Sequence, residues 1–345
     1  MRKILSLVLV LVMSISIISG CTPKVENNGG AGESNEKIVM KIAHPAMPGS
    51  PRDLGANKIK EVIERETDGR VEVQVYPSQQ LGLTNEIIQG LQNGNIEMNM
   101  APVMVYGTVQ PLVGVLDIPF LYPDTNEDMI SFLASDAVKP LMETTKSKGI
   151  VTLDLWFAGL KNFTANKPLE TIADFKGQKF RVMPAPMLVE QFKALGASGL
   201  NIDLGETYSS LQTGAIDGQE NPYDVIFEQK YHEVQKYVTQ TSHASVVLAI
   251  AVSQKWWNDL PADIQEAVLK GIEEGKKVAT EKLLENEADY KEQIRASGVG
   301  IVELTKEDKE AFAPVREHTI KAFKEKYGEE GKSIFELLSE EAKKY

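Results

Sequence analysis

Two hydrophobic periods alternate along residues 37–345, and this alternation constrains the fold more than any other feature of the chain. Val71, Val73 and Val75 interleave with Glu72, Gln74 and Tyr76, the period of two that a half-exposed strand requires. Just before them, Leu54, Ile59, Val62 and Ile63 recur at helical spacing across 51–67, and Gly69 follows as a stop. The exchange continues with a strand over 38–43, a helix over 84–92, a strand over 96–101, a helix over 126–148 and a strand over 150–157. Short strands are predicted around Phe163 and over 179–183, then a helix from Pro186 to Leu195. Such alternation specifies an α/β protein, and a body of this length exceeds what one core commonly serves, so two lobes are expected.

Ile264, Ala267, Val268, Ile272, Leu283 and Leu284 carry helical spacing from Pro261 to Ala296. At 1.5 Å per residue that helix would be roughly 50 Å long, enough to brace two lobes. Two helices kinked near Gly271 or Gly275 also satisfy the pattern.

The N-terminus bears on the compartment. Arg2 and Lys3 precede an apolar run from Ile4 to Ile18, and Ser19, Gly20 and Cys21 follow. Charged, apolar, small is the order of a secretory signal, here residues 1–20, and the run is short for a bilayer span. Ile18-Ser19-Gly20-Cys21 resembles the bacterial lipobox, in which the cysteine becomes the lipidated first residue of the mature chain. Cys21 is the only cysteine, so no intramolecular disulfide can form. Residues 22–36 are Gly, Asn, Ser, Glu and Pro with almost nothing apolar, a composition that reads as a flexible tether. The expected location is extracytoplasmic, lipid-anchored at the periplasmic or outer face of a membrane.

Formal charge is −12, and two units more negative once Arg2 and Lys3 are removed. That balance argues against nucleic acid and against holding to anionic lipid by charge alone. Any anionic ligand therefore needs a local cation. Catalytic motifs are absent from the sequence. His232-Glu233 is followed by Lys236 where a zinc protease would place its second histidine, and no nucleophile elbow, phosphate loop or dinucleotide fingerprint is found. Neither an enzyme nor a cofactor nor a metal site is expected.

Three segments are specific: KGQKFRVMPAP (176–186), ETYSSLQTGAIDGQENP (206–222) and KYHEVQKYVTQTSH (230–243). With YPSQQLG (76–82), IPFLY (118–122) and GLKNFTANKPLETIADFKG (159–177), in this order and spacing, the chain closely resembles the DctP-type solute-binding proteins of tripartite ATP-independent periplasmic (TRAP) transporters. The resemblance implies a two-lobed periplasmic-binding-protein-like fold with a hinge, a cleft between the lobes and a long helix bracing both. It divides the body into 37–158 plus about 247–286 for one lobe and 159–246 plus about 287–345 for the other. It further implies a small organic acid as ligand and an ion-gradient-driven TRAP permease as partner. The alternative is a sensor presenting its closed form to a signalling receptor.

The resemblance also nominates residues. Arg181 matches the family arginine that pairs with the ligand carboxylate, and a planar guanidinium fork suits that task. Asn221 matches an asparagine whose amide often reaches the ligand, although before Pro222 it also suits a helix cap. Lys161 stands where many relatives carry a second arginine. It keeps the charge and loses the fork, leaving either one ammonium contact or a solvated lysine. Leu204 and Pro102 replace a cleft phenylalanine and glutamate of the sialic-acid-binding relatives, which argues against that ligand. Trp156 and Phe157 are candidates for an apolar cleft wall or for core. His44 aligns with a ligand-facing position in some relatives, and His243 is expected to hydrogen-bond near the hinge.

Overall fold

In the computed structural model, which describes residues 37–345, the two periods yield two sheets. One contains β1 (Ile38–Ala43), β2 (Val71–Tyr76), β3 (Met98–Pro102), β4 (Ile150–Leu160) and β10 (Ser245–Ser253), ordered β2-β1-β3-β10-β4. The other contains β5 (Asn162–Ala165), β6 (Lys179–Val182), β7 (Ser198–Asn201), β8 (Gly218–Asn221), β9 (Tyr237–Gln240) and β11 (Gly300–Glu303), ordered β11-β9-β5-β8-β6-β7. β10 is buried along its whole length, as its unbroken SVVLAIAVS sequence requires of a strand paired on both sides. β2, at the sheet edge, alternates buried and half-buried residues in its first half.

Helices α1 (Pro51–Glu66), α2 (Thr84–Asn93), α3 (Asn126–Leu133), α4 (Lys139–Glu143) and α5 (Ile172–Phe175) are followed by α6 (Pro186–Ala194), α7 (Leu204–Gln212), α8 (Tyr223–Glu228) and α9 (Gln254–Asp259). The last three are α10 (Ala262–Ala296), α11 (Lys306–Glu310) and α12 (Ala313–Ala342), the last broken at Gly328, whose φ is 58°. The helix expected over 126–148 ends at Leu133 instead. Ser135 turns to extended backbone (φ −74°, ψ 156°) and interrupts the helix, and Pro140 then sits in the first turn of the separate helix α4, where its missing N–H costs no bond.

α10 is one helix of 35 residues, unkinked at its glycines. Gly271 and Gly275 are where α1 presses on it: a Cβ at Gly275 would stand 2.7 Å from the Gly55 carbonyl oxygen. α10 also packs on α8 and so touches helices that follow strands of both sheets. α12 reaches both sides as well, packing on α6 and on the helical turn Pro111–Asp117.

The chain passes between the sheets at three places. Lys161 alone separates β4 from β5, residues 241–244 separate β9 from β10, and a third passage leads from α10 to β11. The first two lie side by side, because the Lys161 N–H donates to the Ala244 carbonyl at 2.7 Å. Sheet membership thus changes at Lys161, at 241–244 and between Ala296 and Gly300.

Candidate functional site

The ends of β1 and β3 and the first turn of α1 face the ends of β6 and β8 and the first turns of α7 and α8. Between them lies a cleft of about 670 Å3, its open mouth included. Arg181, Asn221 and Leu204 all line it. Leu204 supplies apolar wall from the start of α7.

Arg181 is 2% exposed. Its Nε–H donates to the Ile202 carbonyl at 2.9 Å, which fixes the plane of the guanidinium, while Nη1 is buried without a partner. Among the described residues no carboxylate lies within 4.0 Å of it. Burial pulls its pKa below the ordinary arginine value, and the more distant Tyr231, Glu220 and Asp203 only partly offset this. A buried guanidinium with an open donor is costly, each unmet buried donor by about 1–3 kcal/mol, and an incoming anion removes that cost.

Asn221 is held by a relay of amides and hydroxyls. Its Nδ2 donates to Gln219 Oε1 at 2.5 Å, Gln219 Nε2 donates to Thr164 Oγ1 at 3.0 Å, and Thr164 donates to Gln235 Oε1 at 3.0 Å. The direction of the chain leaves Asn221 with its carbonyl oxygen and one N–H to offer the cleft.

Sequence reasoning missed Arg52, Asp224 and Glu228, which also line the cleft. Arg52 is buried in the first turn of α1, with Nε unpartnered. A cation at a helix N-terminus opposes the helix dipole, and that was the available signal. Asp224 is pushed up to about 6, first by burial, and Glu228 to about 8 by burial and by Asp224.

Two hydrogen bonds cross the mouth. Thr84 Oγ1 donates to Asp203 Oδ1 at 2.7 Å, and the Gly205 N–H donates to Gln79 Oε1 at 3.3 Å. Gln79 holds a left-handed backbone with φ of 58°, uncommon for a residue with a side chain.

Three nominated residues lie elsewhere. Lys161 is fully buried and absent from the cleft lining: its Nζ donates to Glu220 Oε1 at 2.7 Å, and Asp117 Oδ1 lies 3.8 Å away. Short of the cleft, its stem ends among carboxylates that neutralise it. Trp156 is core, wedged under the contact of α1 with α10: a Cβ at Gly55 would stand 2.9 Å from its ring, and its Nε1–H donates to Asp154 at 3.0 Å. Strand alternation turns it away from the cleft, while Phe157 enters the core on the other face. His44 borders an adjoining recess that shares Pro45, Gln79 and Pro102 with the cleft, and its Nε2 meets Asp53 Oδ1 at 3.1 Å. Cys21, the signal and the tether lie outside the described residues.

His243 completes a buried network with Lys161. Its ring stacks on Phe163 at 4.1 Å, and Nε2 meets Glu220 Oε2 at 2.9 Å. Burial lowers the His243 pKa against the pull of Glu220, so the neutral ring donates through Nε2 and accepts the Thr241 hydroxyl on Nδ1 at 2.7 Å. Burial disfavours ionised Glu220, but Lys161 and His243 outweigh it and hold the carboxyl well below its usual range. Among the described residues no cluster suited to a metal ion occurs, and no helix is long and apolar enough to cross a membrane.

Comparison with known proteins agrees with this architecture. Residues 42–326 match the model of DctP, bacterial extracellular solute-binding protein, family 7. The C4-dicarboxylate-binding periplasmic protein DctP of Rhodobacter capsulatus is 35% identical over 283 residues, covering 81% of this chain and 84% of that protein. A TRAP periplasmic solute-binding protein from Desulfovibrio salexigens with bound orotic acid superposes with a TM-score of 0.85 at 33% identity, covering 89% of this chain and 99% of that one. The periplasmic ectoine-binding protein of the TeaABC TRAP transporter of Halomonas elongata superposes with a TM-score of 0.86 at 28% identity, covering 89% and 100%. These relatives are solute-binding proteins and not enzymes. The two-sheet fold with its cleft, its paired passages between sheets and the family match over residues 42–326 together make this chain a member of the DctP family of bacterial extracellular solute-binding proteins.

Proposed function

We propose that the protein captures a small organic acid outside the cytoplasm, pairs its carboxylate with Arg181 and Asn221, and delivers it to a TRAP permease. One observation carries this reading: a buried, oriented guanidinium lining the cleft between the two sheets, with a free donor and no ion-pair partner among the described residues. An arriving carboxylate would accept from Arg181 Nη1 and from the Asn221 N–H. The acids bound by the relatives support it, since dicarboxylates, orotic acid and ectoine all carry a carboxylate.

The acid would bridge residues of both lobes only when these have closed, so binding shifts the population toward the closed form that the permease receives. The passages at Lys161 and 241–244 would serve as the hinge. An acyl chain on Cys21 would keep the protein at the membrane, each buried methylene contributing ~0.8 kcal/mol.

Thermal melting of ligand-stripped protein against small acids and their neutral analogues tests capture. An acid at 100 times its Kd should add about 2.7 kcal/mol of stability and raise Tm, whereas a shift with the neutral analogue alone would overturn the reading. Cys21→Ser should move the protein from the membrane fraction to the soluble one with binding unchanged.

A further inference from the structure

Residues 202–205 lie between Arg181 and the mouth of the cleft and are bonded to both. The Ile202 carbonyl accepts from Arg181 Nε at 2.9 Å, and the Ile202 N–H donates to the Val182 carbonyl of β6 at 3.2 Å. The Asp203 carboxylate accepts from Thr84 Oγ1 at 2.7 Å, the Gly205 N–H donates to Gln79 Oε1 at 3.3 Å, and Leu204 between them lines the cleft. Arg181 and these four residues belong to the side of the second sheet, whereas Thr84 and Gln79 follow β2 of the first.

Two features make these bonds, rather than burial, decide where the segment sits. β7 is an edge strand, and from 198 to 206 no residue is buried, which places the segment at the low-stability end of the fold. Asp203 also holds the extended backbone of an N-cap (φ −63°, ψ 156°) without its side chain taking an N–H of α7. That carboxylate is turned across the mouth to Thr84, and the Gly205 N–H, in the first turn of α7, finds its acceptor across the mouth as well. The start of α7 is thus capped from the opposite side of the cleft.

We propose that residues 202–205 form a strap that couples the Arg181 guanidinium to closure of the mouth, with Thr84 and Gln79 as positioning residues for Arg181. This rests on the reading of Arg181 as the carboxylate site. With the mouth bonded, the strap is held at both ends and the Ile202 carbonyl fixes the guanidinium plane, so Nη1 is presented in one direction. With those bonds broken, the first turn of α7 loses its partners, the exposed strap frays, and Arg181 Nε loses its acceptor. A carboxylate that fixes Arg181 steadies the strap in return, because coupling between two sites is reciprocal. An acid therefore draws the mouth closed through the group that it binds, and a neutral solute of the same shape does not.

The test is side-chain hydrogen exchange measured by NMR on the full chain in detergent, stripped of carried ligand. The Arg181 Nε–H is the resonance absent from Arg181→Lys. The Asn221 amide, absent from Asn221→Asp, is the control: it lines the same cleft but is held by Gln219 and not by the strap. Thr84→Val should speed exchange at the Arg181 Nε–H by at least about five-fold, the effect of losing one cap, and leave Asn221 unchanged. Gln79→Asn, which tolerates the left-handed backbone at φ 58° but is too short to reach Gly205, should do the same. Unchanged exchange at Arg181 in both variants would overturn the strap. Equal acceleration at Arg181 and Asn221 would overturn it too, since it would report only an opened cleft. Neither outcome touches the carboxylate reading, which falls separately if Arg181→Ala binds acids as the wild type does.

Discussion

Lys161 Nζ and Glu220 Oε1 lie 2.7 Å apart, both fully buried, at the residue where the chain leaves one sheet for the other. The cation that family resemblance offered to the ligand is committed to the passage between the sheets. Breaking a buried pair by removing one partner leaves a stranded charge, so Lys161→Met should cost about 3–5 kcal/mol in urea unfolding. A cost below ~1 kcal/mol would mean that the pair is no more than a surface-type contact.

Asp117 completes that network with both carboxylate oxygens buried and lacking hydrogen-bond partners. Burial pushes its pKa up to about 7, against Lys161 and with Glu220. With a folded pKa above the unfolded one, the folded state binds the extra proton. Stability from this group is full below about pH 4 and is lost as pH rises to about 7, at up to ~1.4 kcal/mol per pH unit. Asp117→Asn should remove that slope. Unfolding of both proteins from pH 4 to 8 checks it: their stability difference should change across pH 4–7 and level off above it.

Thr84 and Asp203 form the shorter of the two hydrogen bonds across the mouth of the cleft. They follow strands of different sheets, so opening the proposed cleft would break the bond. Asp203→Ala should favour the open form and raise the ligand off-rate several-fold with the on-rate little changed, read by stopped-flow. An unchanged off-rate would show that the bond does not contribute to closure.

Much of this was legible in the sequence. Valines at every second position over 71–75 and the apolar spacing of 51–63 set strand and helix to within a residue or two. Gly271 and Gly275 were ambiguous, because a glycine that breaks a helix and one that admits a neighbour look alike; only the position of α1 decides between them. Arg181, Asn221 and Leu204 come together in the cleft as the segment match suggested. Lys161 and Trp156 do not, because spacing reveals neither how deep a stem ends nor which face of β4 points to the cleft. Arg52 was passed over although its place in the first turn of a helix was a signal, because the charges that act on it, Asp224 and Glu228, lie some 170 residues away in sequence.

Calorimetric titration of an acid that binds the wild-type protein, repeated on Arg181→Ala and Arg181→Lys, tests the central claim most directly. Truncating one member of a buried, hydrogen-bonded charge pair costs about 2–5 kcal/mol, so Arg181→Ala should lose roughly thirty-fold to a few thousand-fold in affinity while remaining folded. Arg181→Lys should fall between, since it keeps the charge and loses the fork. Wild-type affinity in a folded Arg181→Ala would contradict the account, because the carboxylate would then be held elsewhere.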